Sequence, residues 1–127
     1  MANLTQAFAG GLTPEYMTSL ESLITRKFYN ESVETVSSGA CSVSVRTTLI
    51  TVSGTRSYTL ADGTYEGQQK LFIVTSALSI PVGTLTPANL YDGTSFTLDA
   101  AAESVLLEWH ATTGWKVVDI QGTSVNA

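Results

Sequence analysis

The 127-residue chain has little of what enzymes and metal proteins are usually built from. There is one cysteine, Cys41, so no intrachain disulfide can form and a cysteine-rich metal site is excluded. There is one histidine, His110, so a multi-histidine metal centre is excluded and any Ser-His-Asp triad would have to use that residue. Only 13% of residues are charged, against about 25% in ordinary soluble domains. Six Lys and Arg stand against eleven Asp and Glu, a net charge of -5. The basic residues Arg26, Lys27, Arg46, Arg56, Lys70 and Lys116 are scattered, whereas a phosphate backbone needs clustered cations, so nucleic acid is not an expected partner. No apolar run approaches the roughly 18 residues of a membrane helix. The start, Met1-Ala2-Asn3-Leu4-Thr5, lacks the basic-then-apolar order of a secretory signal. No membrane association, metal or cofactor is expected.

What fills the space is Thr, Ser, Gly, Ala and a 43% hydrophobic fraction, a composition suited to strands and to packing against protein surface. The length fits one domain of about 100–150 residues, large enough to close a core without a staple. Two parts are expected: an N-terminal arm and helix over residues 1–36, and a β-domain over 37–127. In the first part Gly10-Gly11 forms a flexible joint. Thr13-Pro14-Glu15 has the N-cap, first-turn proline and acidic residue of a helix start. Tyr16, Met17, Leu20, Leu23, Ile24 and Phe28 then recur at three- and four-residue spacing, which predicts an amphipathic helix over about 13–28. With Leu4 and Phe8 as anchors on the arm, Tyr16, Leu20, Leu23, Ile24 and Phe28 make a candidate assembly interface. Ser37-Ser38-Gly39-Ala40 reads as the hinge to the second part.

From Val33 onward the period falls to two. Strands are expected at Cys41–Val45, Leu49–Val52, Arg56–Leu60, Lys70–Val74, Gly83–Thr86, Ser95–Leu98, Ser104–Trp109 and Trp115–Asp119, with the last two forming a hairpin. Lys70–Val74, apolar almost throughout, predicts a central strand. The fold expected is mainly β: an antiparallel sandwich or barrel of about 7–8 short strands, with Val43, Val45, Tyr58, Leu71, Ile73, Phe96, Leu98, Val105, Leu107 and Val117 in the core.

Chemistry-bearing clusters are sparse. Asp99, Glu103 and Glu108 form one acidic group and Asp62 with Glu66 another, without the alternating aspartates of a calcium loop. Asp62-Gly63 and Asp92-Gly93 read as turns. Trp109 and Trp115 lie on neighbouring strands and are expected to pack on each other. Tyr65 and Tyr91, close to turns, are the candidate exposed aromatic contacts. Catalysis is not expected.

The β-part carries a recurring cadence: Tyr58-Thr59-Leu60-Ala61-Asp62-Gly63-Thr64 with Gly67-Gln68-Gln69-Lys70, then Phe72-Ile73-Val74, Thr94-Ser95-Phe96-Thr97-Leu98, Val105-Leu106-Leu107-Glu108-Trp109 and Gly114-Trp115-Lys116-Val117-Val118. Over about residues 40–120 it resembles the small β-domains of virion structural proteins of tailed bacteriophages. The resemblance implies a non-enzymatic homo-oligomer, a trimer by preference, made in the host cytoplasm and carried on the phage particle. A capsid decoration or cement protein on the major capsid protein is the first expectation. The other is a carbohydrate- or receptor-binding module of a tail fibre or spike.

Overall fold

A computed structural model describes residues 33–77 and 82–127. The expected arm and helix, with Leu4, Phe8, Tyr16, Leu20, Leu23, Ile24 and Phe28, lie outside the described residues. The described part is mainly β, with ten strands: β1 (Val33–Val36), β2 (Gly39–Cys41), β3 (Thr47–Val52), β4 (Arg56–Leu60), β5 (Gln69–Ala77), β6 (Gly83–Pro87), β7 (Ser95–Leu98), β8 (Ser104–His110), β9 (Gly114–Gln121) and β10 (Val125–Asn126). They form two five-stranded sheets, ordered β1-β3-β5-β8-β9 and β10-β7-β6-β4-β2.

The sheets are mixed, which corrects the expected antiparallel arrangement. Strands β1, β3 and β5 run parallel in the first sheet, as do β2, β4 and β6 in the second. Only β5-β8-β9 and β6-β7-β10 pair antiparallel. The reason lies in the corners. Loop 61–68, with its turn at Glu66-Gly67 rather than at Asp62-Gly63, leads from β4 in one sheet to β5 in the other. A turn signal reports reversal and is silent on whether the next strand stays in the same sheet. The chain therefore winds between the sheets in three stacked rungs, 33–41, 47–60 and 69–87, each longer than the last. Both sheets end in edge strands, so neither closes into a barrel. β1 also precedes Ser37, and Ser37-Ser38 make the bend between β1 and β2 rather than a joint ahead of the β-part.

One core draws on both sheets. Ile50, Val52, Phe72, Val74, Val105, Leu107 and Trp115 come from the first sheet, and Cys41, Tyr58, Leu60, Leu85, Phe96 and Leu98 from the second. Burial of each large side chain contributes about 1.5–3 kcal/mol. Tyr58 brings a hydroxyl into this core, and its one proton has two carbonyl acceptors in reach, Thr51 O at 2.9 Å and Ser37 O at 3.0 Å. The expected core members Tyr58, Phe96, Leu98, Val105 and Leu107 are buried, while Val43 and Val117 pack half-buried at its rim. Val43 and Val45 lie in the turn after β2 rather than in a strand. In β5 the phase is inverted: Lys70, Phe72 and Val74 point inward, and Leu71 and Ile73 lie on the opposite face. The central position expected for this strand is observed.

The outer faces of the two sheets differ. On the first, the registered rows are Val33–Thr47–Leu71–Leu106–Asp119 and Thr35–Leu49–Ile73–Ser104–Gln121. On the second they are Ala40–Thr59–Thr86 and Ser57–Thr84–Thr97, with the pair Ser95–Asn126 on β7 and β10.

Candidate binding surfaces

The polar chemistry of the described residues gathers at one end of the sheets, where loops 61–68 and 88–94 meet the turn of the β8–β9 hairpin. Trp109 and Trp115 sit directly opposite each other in that hairpin, edge to face with ring centroids 5.4 Å apart. Trp115 is fully buried, and its indole N–H donates to Ala61 O at 3.0 Å. This is the cross-strand aromatic packing expected of the pair. Gly63 lies against the Trp109 ring so closely that a Cβ there would collide with it. Its small size serves this packing.

Loop 61–68 is tied down by backbone and side chains together. Gly67 N donates to Trp109 O and Trp109 N to Gln68 O, both at 2.8 Å. The buried Gln68 carboxamide accepts from Thr64 N at 2.6 Å and donates to Val43 O at 2.8 Å. Glu66 accepts from Ala111 N, and its other carboxylate oxygen meets His110 Nδ1 at 3.2 Å. The opposite ring nitrogen, Nε2, contacts Glu108 at 2.8 Å. The Ala111 N–H first, and His110 after it, hold the Glu66 carboxyl below its ordinary value.

Loop 88–94 closes the outer edge of β9. Trp115 N donates to Asn89 O at 2.7 Å, Tyr91 N to Trp115 O at 2.8 Å, and Val117 N to the Asp92 carboxylate at 2.8 Å. Lys116 Nζ sits 2.6 Å from Asp92 and 5.6 Å from the centroid of the Tyr91 ring. Burial raises the Asp92 pKa, but Lys116 and the Val117 N–H outweigh it and leave the group below its usual value. Asn89 also donates to Asp62 at 2.6 Å. The two aromatic contacts expected near turns, Tyr65 and Tyr91, are 63% and 60% exposed on these two loops.

The expected acidic groupings do not come together. Asp62 pairs with Asn89 while Glu66 pairs with His110. Glu103 is buried and accepts from Asp99 N and Ala100 N, at the end of β8 opposite Glu108. Among the described residues no group of three or more His, Cys, Asp or Glu is placed to hold a metal ion.

Sequence reasoning missed a buried polar knot at β1, β3 and β5. Lys70 is fully buried and donates to Ser42 O at 2.7 Å and Val45 O at 2.6 Å, with Glu34 at 3.7 Å. Glu34 accepts from Ser42 N and the Thr48 hydroxyl, both at 2.7 Å. Burial lowers the Lys70 pKa, and it raises that of Glu34. For Glu34 the Thr48, Ser42 and Lys70 contacts overturn that effect and leave the carboxyl below its ordinary value. Neighbouring Cys41 is buried and pushed up to about 11, chiefly by desolvation, so its thiol is unreactive. The available signal was phase: Lys70 shares its face of β5 with Phe72 and Val74.

No protein-family model matches the chain, and no curated protein matches it.

Proposed function

We propose that the chain is a non-enzymatic virion structural protein of a tailed bacteriophage, a decoration or cement protein that assembles with copies of itself on the major capsid protein. The observation that carries the non-enzymatic part is how the titratable groups are used. Glu66, His110, Glu108, Asp92 and Lys116 are bonded to one another or to backbone N–H groups and fasten loops. The phage reading is supported by the cadence of residues 40–120 and by the uncharged, Thr- and Ser-rich strands. We read the two open sheets as the layers of a sandwich-like module and the assembly as a trimer. The expected arm and helix, over residues 1–28, serve as the attachment to the shell.

A second reading, a carbohydrate- or receptor-binding module of a tail fibre or spike, is favoured by Tyr65 and Tyr91. Both rings face solvent on neighbouring loops, and Tyr91 is braced by Lys116 and Asp92. Braced aromatic rings bind at low entropic cost.

Gold labelling of intact particles with antibody to this chain tests the choice. Label spread over the head supports the decoration reading. Label confined to the tail tip transfers the assignment to the second, and particles without label overturn both.

A further inference from the structure

Loop 61–68 meets the end of β8 through one imidazole that has a carboxylate on each side. His110 Nδ1 lies 3.2 Å from Glu66 Oε2, and Nε2 lies 2.8 Å from Glu108 Oε1. A neutral imidazole has one N–H and one lone pair, so it donates to only one of these oxygens and aims its lone pair at the other. The imidazolium has two N–H donors and satisfies both. Against two carboxylates, the two-sided arrangement is that of the protonated ring.

The two contacts are not equivalent. Glu108 stands two residues before His110 on the same strand, hence on the same face, and meets the ring at the shorter distance. Glu66 comes from a separate loop, at the longer distance, and its other oxygen accepts from Ala111 N. A ring that gives up its proton keeps the Nε2–H bond to Glu108 and turns a lone pair toward Glu66. The surroundings supply no substitute cation. Lys116, registered opposite Glu108 on β9, is 2.6 Å from Asp92. Asp62, at the start of the loop, is bonded to Asn89. From β5 the uncharged Gln69 approaches Glu108 at 3.4 Å, and the hairpin turn is Ala111-Thr112-Thr113. Glu66 is held below its ordinary value of 4.5 by the Ala111 N–H first and by His110 after it. It therefore stays ionised across the range in which an imidazole changes charge.

We propose that His110 is a proton-operated clasp on the tip of loop 61–68. Protonated, the ring holds the Glu66 carboxylate from a second side; neutral, it leaves Glu66 on the Ala111 N–H alone. The rest of the loop is fastened in either state, because Gly67 N donates to Trp109 O, Trp109 N to Gln68 O, and Thr64 N to the Gln68 carboxamide. The change is therefore confined to Tyr65 and Glu66, and the fold does not depend on it. Exposed Tyr65 rides on this tip, so mild acid presents its ring from a fixed loop and neutral pH from a looser one. The clasp is independent of the virion reading, which it does not use.

Amide hydrogen exchange followed by NMR on the full chain, over about pH 5 to 8, tests the clasp, with the ring signals of His110 giving the midpoint. Protection of the Ala111 amide, corrected for the intrinsic rate, is expected to fall about 2- to 5-fold as the ring loses its proton. Protection of the Trp109 amide is expected to stay constant. In His110→Gln and Glu66→Gln the Ala111 step should vanish. Constant Ala111 protection through the ring's titration overturns the proposal, as does a ring that keeps one charge state over the whole range. A step that persists in His110→Gln overturns it too, because another group then drives it. The carboxyl carbon of Glu66 gives a reading that needs no variant: its resonance should move at the midpoint of the ring, and a Glu66 signal indifferent to that midpoint overturns the clasp.

Discussion

The first sheet turns leucine and isoleucine outward, whereas the second turns out small or polar residues, Ala, Ser, Thr and Asn126. Both bury their other face in one core. A strand with one solvated face has no use for Leu49, Leu71, Ile73 and Leu106 where Thr or Ser suffices, as Ser57, Thr59, Thr84 and Thr97 show.

The first way to break that comparison is to show that the aromatic hairpin, rather than the apolar face, is the spare surface. Trp115→Ala is expected to destabilise the domain by about 3–5 kcal/mol, because a fully buried indole and its bond to Ala61 O are lost. Denaturant unfolding measures this, and a loss under about 1 kcal/mol would take Trp115 out of the core.

The phase of β5 is the next point of attack, because buried Lys70 goes with outward Leu71 and Ile73. Lys70→Met removes the donor to Ser42 O and Val45 O and the cation beside Glu34. The expected cost is about 2–3 kcal/mol by the same measurement. A neutral result would mean that the apolar stem alone sets the phase.

This strand also shows how much was legible beforehand. Periodicity and turn residues gave the existence of most strands, the β8–β9 hairpin, the aromatic pair and the central place of β5. Sheet membership was not readable, because a loop signal such as Asp62-Gly63 marks the end of a strand without saying which sheet receives the chain. Unequal rungs left no repeat to reveal the winding. Leu71 and Ile73 were placed in the expected core, whereas Lys70, Phe72 and Val74 are the buried set, and that inverted phase hid the outer face. The Lys70 partners Ser42, Val45 and Glu34 are far away in sequence, and a single chain does not announce them. Tyr65 and Tyr91 were legible because exposed aromatic residues near turns need no distant partner.

Acid sharpens the comparison from the β1 side. The Glu34 carboxyl is held below its ordinary value of 4.5, so it favours the folded state whenever it is ionised. That contribution is fully present above 4.5 and is lost as pH falls below it and through the lower folded value. Glu34→Gln is expected to cost about 1 kcal/mol at neutral pH and to flatten the acid limb of stability against pH. An acid limb identical to wild type would remove Glu34 from the account.

The smallest effect is expected at the loop end. His110 is partly exposed between Glu66 and Glu108, and exposed side-chain pairs of this kind contribute about 0–1 kcal/mol. His110→Ala should therefore unfold within about 1 kcal/mol of wild type and assemble normally. Loss of particle function with fold and oligomer intact would contradict the non-enzymatic reading.

Sedimentation of the full chain across a dilution series tests the central claim, assembly with copies of itself, most directly. A trimer mass is predicted at the higher concentrations, and monomer mass throughout the series would contradict it.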